Sequence, residues 1–588
     1  MRPARVPRAR LSAWLAIALL GVAALARPAT WWRLPIWGAD IRVFATDPFQ
    51  PGTVFCGTAR GNFYGSPDAG ATWTALRPGP AFPGFVATGL IADPRVPGRL
   101  WASLAGQYAG GLVVRSDNRG KDWSILAKWA TVVATRALAI SPLSGVLAVG
   151  GDDGVRLSKD GGETWVRSGQ DTQGLFQVES LAFDPAEPRT IYAGTWRQAF
   201  RTRDGGVSWS RIAEGMVLDA TVYTFDFASS DPKDIWVSTC GWVYRTRDGG
   251  DRWTRFKNGF TNRRSHAVRR DPLRPGVVYA ATVGGLHRST DGGETWSRIS
   301  RESLVVTALE VDRSSGRLYV GTEGEGVFYS DDGGANLRWG STGLAEGRVT
   351  DLVADPNDAG RVYFFRAYGG DEGGVWEADG LSVRRVSRDP LPASASLSAF
   401  RDEDGKTVLA LASFSGLKFS ADRGEHWSAP GEPPPGTPIA LYGAPLSSPL
   451  VVTTAGVFRV SAGGRAFDPL PASPPAPTSA ELLLDANGSA VLEVRGPEGA
   501  ARWNGQGWSS RRRGILKGGI FLEDAGAGSP TSYSRLQEVG GTLVFEEGGN
   551  RLSVSSPRAG LSLATAARAP GGRLYVGTVG DGLFLFEP

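Results

Sequence analysis

The 588-residue sequence has very little of the chemistry that most enzymes and metal proteins use. It contains two cysteines, three histidines and two methionines. So few ligands exclude a disulfide-stapled scaffold and the common Cys- and His-based metal motifs. HExxH, CxxC, GxSxG and phosphate-loop patterns do not occur. The sequence therefore predicts no metal and no cofactor, with Cys56 and Cys240 as free thiols at equivalent strand positions of two repeats.

Charge is also scarce, because charged residues make up only 21% of the chain. The formal net charge is +5, but four of the arginines lie within the first ten residues, which leaves a charge near +1 for the remainder. Arginine outnumbers lysine 56 to 8 without forming a basic stripe. These features exclude nucleic acid as a predicted partner.

Only one long apolar run occurs, at residues 11–26, directly after the four arginines. It ends in Ala-Leu-Ala, the small-x-small pattern of a signal-peptidase site. Its sixteen residues are fewer than the ~20 that a transmembrane helix needs. The sequence predicts a signal peptide at residues 1–26 and a secreted or periplasmic mature chain without a membrane span. The alternative is a membrane anchor retained through residues 11–26.

Glycine (80), proline (38) and tryptophan (20) are abundant, and an octet recurs along the chain. The pattern is Ser/Thr-x-Asp-x-Gly-x-x-Trp, and copies start 41 to 50 residues apart, with one gap of 90. The copies are Ser66–Trp73, Ser158–Trp165, Thr202–Trp209, Thr246–Trp253, Ser289–Trp296 and Ser420–Trp427, with degenerate copies at Ser116–Trp123 and Ser330–Leu337. One period over most of the chain indicates a repeat protein.

Each period also contains a segment ending near Asp-Pro, a strand such as Arg317–Thr322, a glycine loop and a third strand before the octet. Four short strands in each period are typical of a β-propeller blade. The sequence predicts an all-β fold of two tandem propellers with six or seven blades each. We place the first at residues 27–345 and the second, with degenerate repeats, at 346–588. We also expect the strand near residues 29–34 to complete the last blade, because the chain ends where a fourth strand is due.

The octet acids are expected to build turns rather than to catalyse or to bind Ca²⁺. The hydroxyl and carboxylate can accept backbone N–H bonds, and the glycines supply positive φ. Many equivalent copies argue against one active site. The acids assigned this structural role are Asp68, Asp160, Asp204, Asp248, Asp291, Asp332 and Asp422.

These octets resemble the Asp-box, or BNR, repeats of the sialidase-like superfamily. The resemblance covers residues 40–430 well and the rest weakly, and it implies a β-propeller. The superfamily includes sialidases, xyloglucan-degrading enzymes, sortilin-type receptors and photosystem II assembly-factor-like proteins. The even spacing and paired glycines are most similar to the assembly-factor-like and sortilin-like proteins. Because enzymes and non-enzymes share the box, the resemblance does not imply an activity.

Two enzyme interpretations can be compared with particular residues. The segment Trp32-Arg33-Leu34-Pro35 is an imperfect version of a sialidase motif whose arginine binds the substrate carboxylate. In the xyloglucan-degrading enzymes a first-blade aspartate is catalytic, but Ala59 takes its place here. A glycosidase needs two nearby carboxylates, for which Asp152 with Asp153 and Glu323 with Glu325 are the candidates.

The loops that join strands 2 and 3 and strands 4 and 1 are rich in aromatic and polar residues, and they share the face opposite the boxes. Trp and Arg often dominate interface energies. The candidate binding residues are Gln107, Tyr108, Trp196, Arg197, Trp242, Arg263, Arg264, Arg366 and Tyr368. The sequence therefore predicts an exported, non-enzymatic, monomeric scaffold that binds a protein or a glycan. The alternative is a glycoside hydrolase, sialidase-like or xyloglucanase-like, that acts on extracellular polysaccharide.

Overall fold

The structure is a computed structural model. It describes residues 30–34, 36–76, 82, 84–106, 110–129, 133–217, 220–302, 304–347, 349, 351–358, 360–366, 374–389, 391, 396–443, 449–461, 463–484, 490–497, 499–511, 520–524, 534–539, 542–547, 550–555, 563–568, 573–578 and 582–587. Every regular element within these ranges is a β-strand, so the all-β prediction is confirmed. No helix in the described ranges is long and apolar enough to cross a membrane. The predicted signal peptide at residues 1–26 lies outside them.

The first strand of the chain, β1 (Thr30–Arg33), is followed by seven four-stranded antiparallel sheets, which we call the first ring. In chain order their strands are β2 (Ile41–Thr46), β3 (Val54–Thr58), β4 (Phe63–Ser66), β5 (Thr74–Ala75); β6 (Phe85–Ala92), β7 (Leu100–Gly106), β8 (Gly110–Ser116), β9 (Ser124–Lys128); β10 (Thr135–Ile140), β11 (Leu147–Gly151), β12 (Gly154–Ser158), β13 (Val166–Ser168); β14 (Val178–Phe183), β15 (Ile191–Thr195), β16 (Ala199–Thr202), β17 (Ser210–Arg211); β18 (Val222–Phe227), β19 (Ile235–Thr239), β20 (Trp242–Thr246), β21 (Thr254–Phe256); β22 (Ser265–Arg270), β23 (Val278–Thr282), β24 (Gly285–Ser289), β25 (Ser297–Arg298); and β26 (Val306–Val311), β27 (Leu318–Thr322), β28 (Val327–Ser330), β29 (Arg338–Trp339).

Burial within each of these sheets follows the order of the strands. The second strand is buried along most or all of its length, as in β15, β23 and β27, because neighbouring sheets cover both of its faces. The fourth strand is short and exposed, as in β17 and β25. This gradient explains why the second strands are continuous apolar runs, whereas β17 and β25 have the polar sequence Ser-Arg.

The first strands of the seven sheets contact one another in a closed cycle from β2 through β26 and back to β2. At the closure, the Thr307 hydroxyl donates to the Ile41 carbonyl at 2.5 Å, and the Trp73 indole donates to the Gly340 carbonyl at 2.8 Å. Box tryptophans join other neighbours similarly, because Trp253 Nε1 donates to the Ile212 carbonyl of the preceding sheet at 2.7 Å. Trp73 and Trp253 therefore link successive sheets, whereas Trp165 and Trp296 donate to glycine carbonyls of their own boxes.

The remaining strands, together with β1, form the second group of sheets. They are β30 (Asp351–Ala354), β31 (Arg361–Arg366), β32 (Gly374–Asp379), β33 (Ser382–Arg385); β34 (Ser396–Arg401), β35 (Thr407–Ser413), β36 (Gly416–Ser420); β37 (Pro438–Tyr442), β38 (Leu450–Thr453), β39 (Gly456–Ser461), β40 (Ala466–Pro469); β41 (Ser479–Leu484), β42 (Ala490–Gly496), β43 (Gly499–Trp503), β44 (Trp508–Arg511); and β45 (Ile520–Asp524), β46 (Ser534–Val539), β47 (Thr542–Glu547), β48 (Asn550–Ser555), β49 (Leu563–Arg568), β50 (Leu574–Thr578), β51 (Leu583–Glu587).

The N-terminal strand closes the last sheet of this second group. β1 pairs antiparallel with β51, with Thr30 opposite Glu587 and Arg33 opposite Phe584. It thereby covers the edge that β51 would otherwise expose. The predicted closure by a terminal strand is confirmed.

Two adjacent segments connect the first ring with the second group. The chain leaves β1 and enters the first ring through residues 34–40, and it returns through residues 340–350. Gly38 and Ala345 form a bridge between these segments. Gly38 has φ +148°, and a Cβ there would lie 2.8 Å from the Gly324 carbonyl oxygen, so no larger residue fits. The boundary near residue 345 stays a prediction.

Neither cysteine forms a disulfide, but the two do not occupy equivalent positions. Cys56 is the third residue of β3 and is fully buried. Cys240 follows the end of β19 and is only half-buried. The prediction of equivalent positions is wrong, because Cys240 belongs to the loop after its strand.

Candidate functional site

Each first strand of the first ring contains a β-bulge at the same place. In every case the pairing with the second strand skips one residue near the start of the first strand. A bulge leaves its extra residue unpaired and re-aims the side chain. The seven skipped residues, which we call the channel residues, are Arg42, Thr88, Arg136, Glu179, Tyr223, His266 and Thr307.

All seven channel residues line one cavity of about 990 Å³ at the centre of the first ring. Asp152, which follows β11, and Gly106, which ends β7, also line it. Both lie where the second strand passes into the third. The cavity therefore opens on the face that carries the 2–3 and 4–1 loops, which we call the loop face.

Arg136 neutralises two acids on one side of this channel. Its Nε lies 2.8 Å from Asp152 Oδ1 and its Nη1 lies 2.9 Å from Glu179 Oε1. Burial raises the pKa of Glu179 above its usual value, although Arg136 opposes that shift. This side of the channel is an ion-paired cluster.

His266 and Tyr223 lie on another side of the channel. Their rings meet edge-on with centroids 6.1 Å apart, and His266 Nδ1 lies 3.1 Å from the Val306 carbonyl oxygen. His266 is the second residue of β22. The bulge directs its side chain toward the channel.

Five of the predicted binding residues lie on the loop face beside the cavity. Trp196 and Arg197 form the exposed turn between β15 and β16. Trp242 begins β20, and its backbone N–H donates to the Arg263 carbonyl at 2.6 Å. Arg263 and Arg264 are exposed at the start of β22. The structure therefore brings these five residues onto adjacent loops.

Exposed apolar side chains continue along the same loops. Phe176, Trp196 and Val217 are 49%, 51% and 40% exposed. Trp196 N–H donates to the Gln177 carbonyl, and Val217 lies beside Gly241 in the next loop. We call Phe176, Trp196, Val217 and Trp242 the apolar ridge.

The other predicted binding residues do not join this surface. Arg366 is only 1% exposed, donates from Nη2 to the Trp37 carbonyl at 2.7 Å and lies over the Trp376 ring. It holds a segment that connects the first ring and the second group, and it is not accessible to an external partner. Gln107, Tyr108 and Tyr368 lie outside the described residues.

The two candidate carboxylate pairs do not converge on a common cleft. Asp152 pairs with Arg136, whereas Asp153 pairs with Arg156 on a neighbouring strand. Glu325 is buried against Arg301, whereas its neighbour Glu323 is exposed. Ala59, in place of the catalytic aspartate of xyloglucan-degrading enzymes, only donates its backbone N–H to the Asp40 carbonyl.

The box acids hold their own turns through a repeated set of hydrogen bonds. At Asp160, Oδ1 accepts from the Ser158 hydroxyl at 2.8 Å and from Thr164 N–H at 3.0 Å. The Thr164 side chain, its backbone and Ser158 lower the pKa of Asp160 to about 2. The same carboxylate-to-hydroxyl and carboxylate-to-backbone bonds occur at Asp68, Asp204, Asp248, Asp291, Asp332 and Asp422.

Sequence reasoning missed the channel residues, although a signal for them exists. Each lies five residues before the residue that begins the 1–2 turn, as His266 precedes Asp271 and Glu179 precedes Asp184. Within the described residues, no group of His, Cys, Asp and Glu has an arrangement suited to a metal ion.

The comparisons with known proteins agree on the fold. The BNR/Asp-box repeat family matches residues 287–298. No curated protein sequence matches the chain. The GH74 xyloglucanase from Xanthomonas campestris is similar in structure, with 17% identity, a TM-score of 0.53 and coverage of 95% of this chain and 100% of that one. An ancestral GH74 enzyme has 14% identity and a TM-score of 0.62, with coverage of 95% and 98%.

A smaller neighbour is YCF48 from Cyanidioschyzon merolae, with 18% identity, a TM-score of 0.40 and coverage of 51% of this chain and 98% of that one. The GH74 identities are low, so those structures support the fold alone. The family model shows an Asp-box repeat at residues 287–298, and the blade-like sheets together with the GH74 structures show that the chain has the β-propeller fold.

Proposed function

We propose that the chain is an exported, non-enzymatic scaffold that binds a partner on the loop face of the first ring. The proposal includes a signal peptide at residues 1–26, propellers at 27–345 and 346–588, and a monomeric mature chain. It also includes a protein or glycan partner rather than nucleic acid.

The conformation of Trp242 carries this proposal. Trp242 has φ +84°, a region that a bulky side chain rarely adopts. In several other sheets the residue at the same distance before the box is a glycine, namely Gly154, Gly285 and Gly416, with φ of +113°, +107° and +120°. A strained aromatic residue on an accessible face costs stability of order 1–3 kcal/mol. We infer that Trp242 is present in this strained conformation because its side chain contributes to binding.

The surroundings of Trp242 support an interface. The apolar ridge continues from it across two sheets, and Arg263 adjoins it. Trp and Arg surrounded by smaller apolar groups are the composition of binding hot spots. The central cavity opens beside this surface and could receive one protruding side chain.

The glycoside hydrolase remains the second candidate function because one observation favours it. Glu179 has a raised pKa and faces the same cavity as Tyr223. Against it, Arg136 already neutralises Glu179, and Ala59 replaces the expected acid. The low-identity GH74 structures support only the fold.

A pair of variants separates binding from stability. Trp242→Gly restores the residue that several other sheets use and relieves the backbone strain, so we expect the variant to be at least as stable as the original chain. Binding should nevertheless weaken at least tenfold, measured by surface plasmon resonance against partners taken from glycan and exported-protein arrays. The double variant Trp196→Ala with Arg197→Ala should weaken the same interaction.

The matched control is Val207→Ala, which changes an exposed apolar residue in a box turn on the opposite face. It should leave binding intact. Unchanged binding by both loop-face variants would reject the proposed surface. Turnover of any glycan by the purified protein, lost in Glu179→Gln, would replace the scaffold with the hydrolase.

A further inference from the structure

His266 is the channel residue whose charge can change near neutral pH. Its Nδ1 faces the Val306 carbonyl, which can only accept a hydrogen bond, so Nδ1 carries the proton. Nε2 then holds a lone pair in the neutral ring and a proton in the charged ring. The Tyr223 ring packs against the imidazole edge-on and limits its rotation. The protonation of His266 is therefore decided at Nε2.

Several groups around His266 determine the pKa of its imidazole. Burial is the main cause that lowers the pKa of His266, and Arg264 and Arg42 lower it further. The hydrogen bond to Val306 and the charge of Glu323 oppose these effects. The imidazole is thus held toward its neutral form by burial and by two neighbouring cations. A bound anion would offset both cations and favour the charged form.

Most other charges around the channel are already compensated. The ion pairs are Arg42 with Asp40, Arg136 with Asp152 and Glu179, and Arg269 with Glu310. Among the described residues, Arg263, Arg264 and the exposed Glu323 form no ion pair. The two arginines outweigh Glu323, so a net positive charge remains beside His266 at the channel mouth.

We propose, on the basis of the proposed binding function, that this mouth accepts a carboxylate side chain of an acidic peptide segment. Arg264 and protonated His266 hold the carboxylate, and binding takes up one proton from solvent at Nε2. Apolar side chains that flank the acid in the peptide lie on the ridge at Val217 and Trp242. The aliphatic and aromatic character of the ridge favours a peptide over an acidic polysaccharide, because apolar side chains gain most from covering it.

The scarcity of histidine makes a direct test possible. In protein labelled at the histidine rings, three imidazole signals are expected, from His266, His287 and His426. The probe is a hexapeptide of alternating Glu and Leu, and its control alternates Gln and Leu. We expect the acidic peptide to raise the pKa of His266 by about one unit, and its affinity to be several-fold higher at pH 5.5 than at pH 8, approaching the tenfold limit that a one-unit shift allows.

Two variants and two internal controls complete the experiment. His266→Gln should remove the pH dependence of binding, and Arg264→Gln should weaken binding at every pH. Arg459→Gln, which changes an exposed arginine of the second group, should do neither. The His426 signal should not move with the peptide because its ring pairs with Asp422 in a box turn far along the chain. Melting temperatures identify any variant that is misfolded.

Binding of the acidic peptide without a change in the His266 pKa would overturn the inference and leave the proposed surface standing. Equal affinity for the Gln-Leu peptide, or no affinity for either peptide, would also overturn it. A shift caused by an oligogalacturonate but not by the peptide would replace the peptide with a polysaccharide. The Trp242→Gly variant tests the proposed surface independently of all these results.

Discussion

The first ring and the second group of sheets are built from similar strands, but the first strands of their sheets differ. In the first ring all seven first strands have a bulge at the same place. In the second group β37 and β49 have the same bulge, but β30, β34 and β41 pair with their neighbours in continuous register. A bulge adds one side chain to the central channel at each sheet. The regular bulges give the first ring a lining that the continuous strands lack.

The two regions also differ in their turns, which shows what the Asp-box contributes. In the sheet containing β43 and β44 the box is lost, but Asn504 Oδ1 accepts N–H bonds from Gln506 and Gly507 at 3.0 and 2.9 Å. An Asx turn thus replaces the box, and the sheet keeps four strands. The Asp-box is therefore one way to form the turn between strands, and the feature that defines the repeat is its apolar second strand.

The strongest way to separate the two regions is to remove β1. A chain that starts at Leu34 lacks the strand that covers β51. We expect the second group to lose at least ~3 kcal/mol of stability, because pairing, edge protection and apolar contacts are lost together. The first ring should melt as before. Differential scanning calorimetry with limited proteolysis would assign each transition.

The matched control for this truncation is a chain that starts at Thr30, which keeps β1 and removes only the preceding residues. It should behave as the full-length chain does. Equal destabilisation of both regions by the shorter chain would mean that they unfold as one unit.

Buried acids near the connection give a second contrast. Burial raises the pKa of Glu346 to about 7, although Asn62 and Thr58 donate to its carboxylate. A folded-state pKa above the unfolded value of 4.5 means that stability is greatest below about pH 4.5 and is lost as pH rises through 7. Glu346→Gln should therefore stabilise the protein at pH 8 by about 1–3 kcal/mol, at ~1.4 kcal/mol per pKa unit. Urea unfolding at pH 5 and pH 8 measures this gain.

Asp351, the first residue of β30, provides the matched test in the second group. Burial raises its pKa to about 7, opposed by a hydrogen bond from Leu397 N–H. Asp351→Asn should stabilise the second group at pH 8 but not the first ring. A gain that persists unchanged at pH 5 for either variant would show that ionisation is not its cause.

Much of this contrast could be predicted from the sequence. The boxes and the apolar second strands were sufficient to predict the sheets. The lack of a fourth strand after Phe586 was sufficient to predict the pairing of β1 with β51. Strand 2 is recognisable because burial on both faces requires a continuous apolar run, as in Leu318–Thr322.

The channel was not predictable in the same way. Side chains alternate between the two faces of a regular β-strand. The sequence pattern alone therefore predicts the faces of His266 and Glu179 as if the strand had no bulge. The bulge becomes visible only when the register with the second strand is known. Burial of Arg366 was hidden for a related reason, because its partner Trp37 is 329 residues away in the sequence. Local patterns located the loops, and long-range packing decided which loop residues face solvent.

Box acids in the two regions should have similar effects, despite the decay of the later repeats. Asp248 accepts from the Thr246 hydroxyl and from Arg252 N–H, and Asp422 accepts from the Ser420 hydroxyl and His426 N–H. Alanine at either acid should lower stability by about 1–2 kcal/mol, because the same turn bonds are lost. Thermal unfolding of the two variants tests this. A loss at Asp248 with none at Asp422 would show that the box no longer matters in the second group.

The smallest expected effect separates ring closure from sheet stability. Thr307 donates to the Ile41 carbonyl and so joins the last sheet of the first ring to the first, whereas Thr88 contacts only Ser103 within its own sheet. Thr307→Val keeps the shape but leaves that carbonyl without its side-chain donor, so we expect a loss of about 1 kcal/mol. Thr88→Val should cost less than half of this, because no contact between sheets is broken. The urea midpoint at constant m measures both changes, and equal losses would mean that the Thr307 bond contributes nothing specific to closing the first ring.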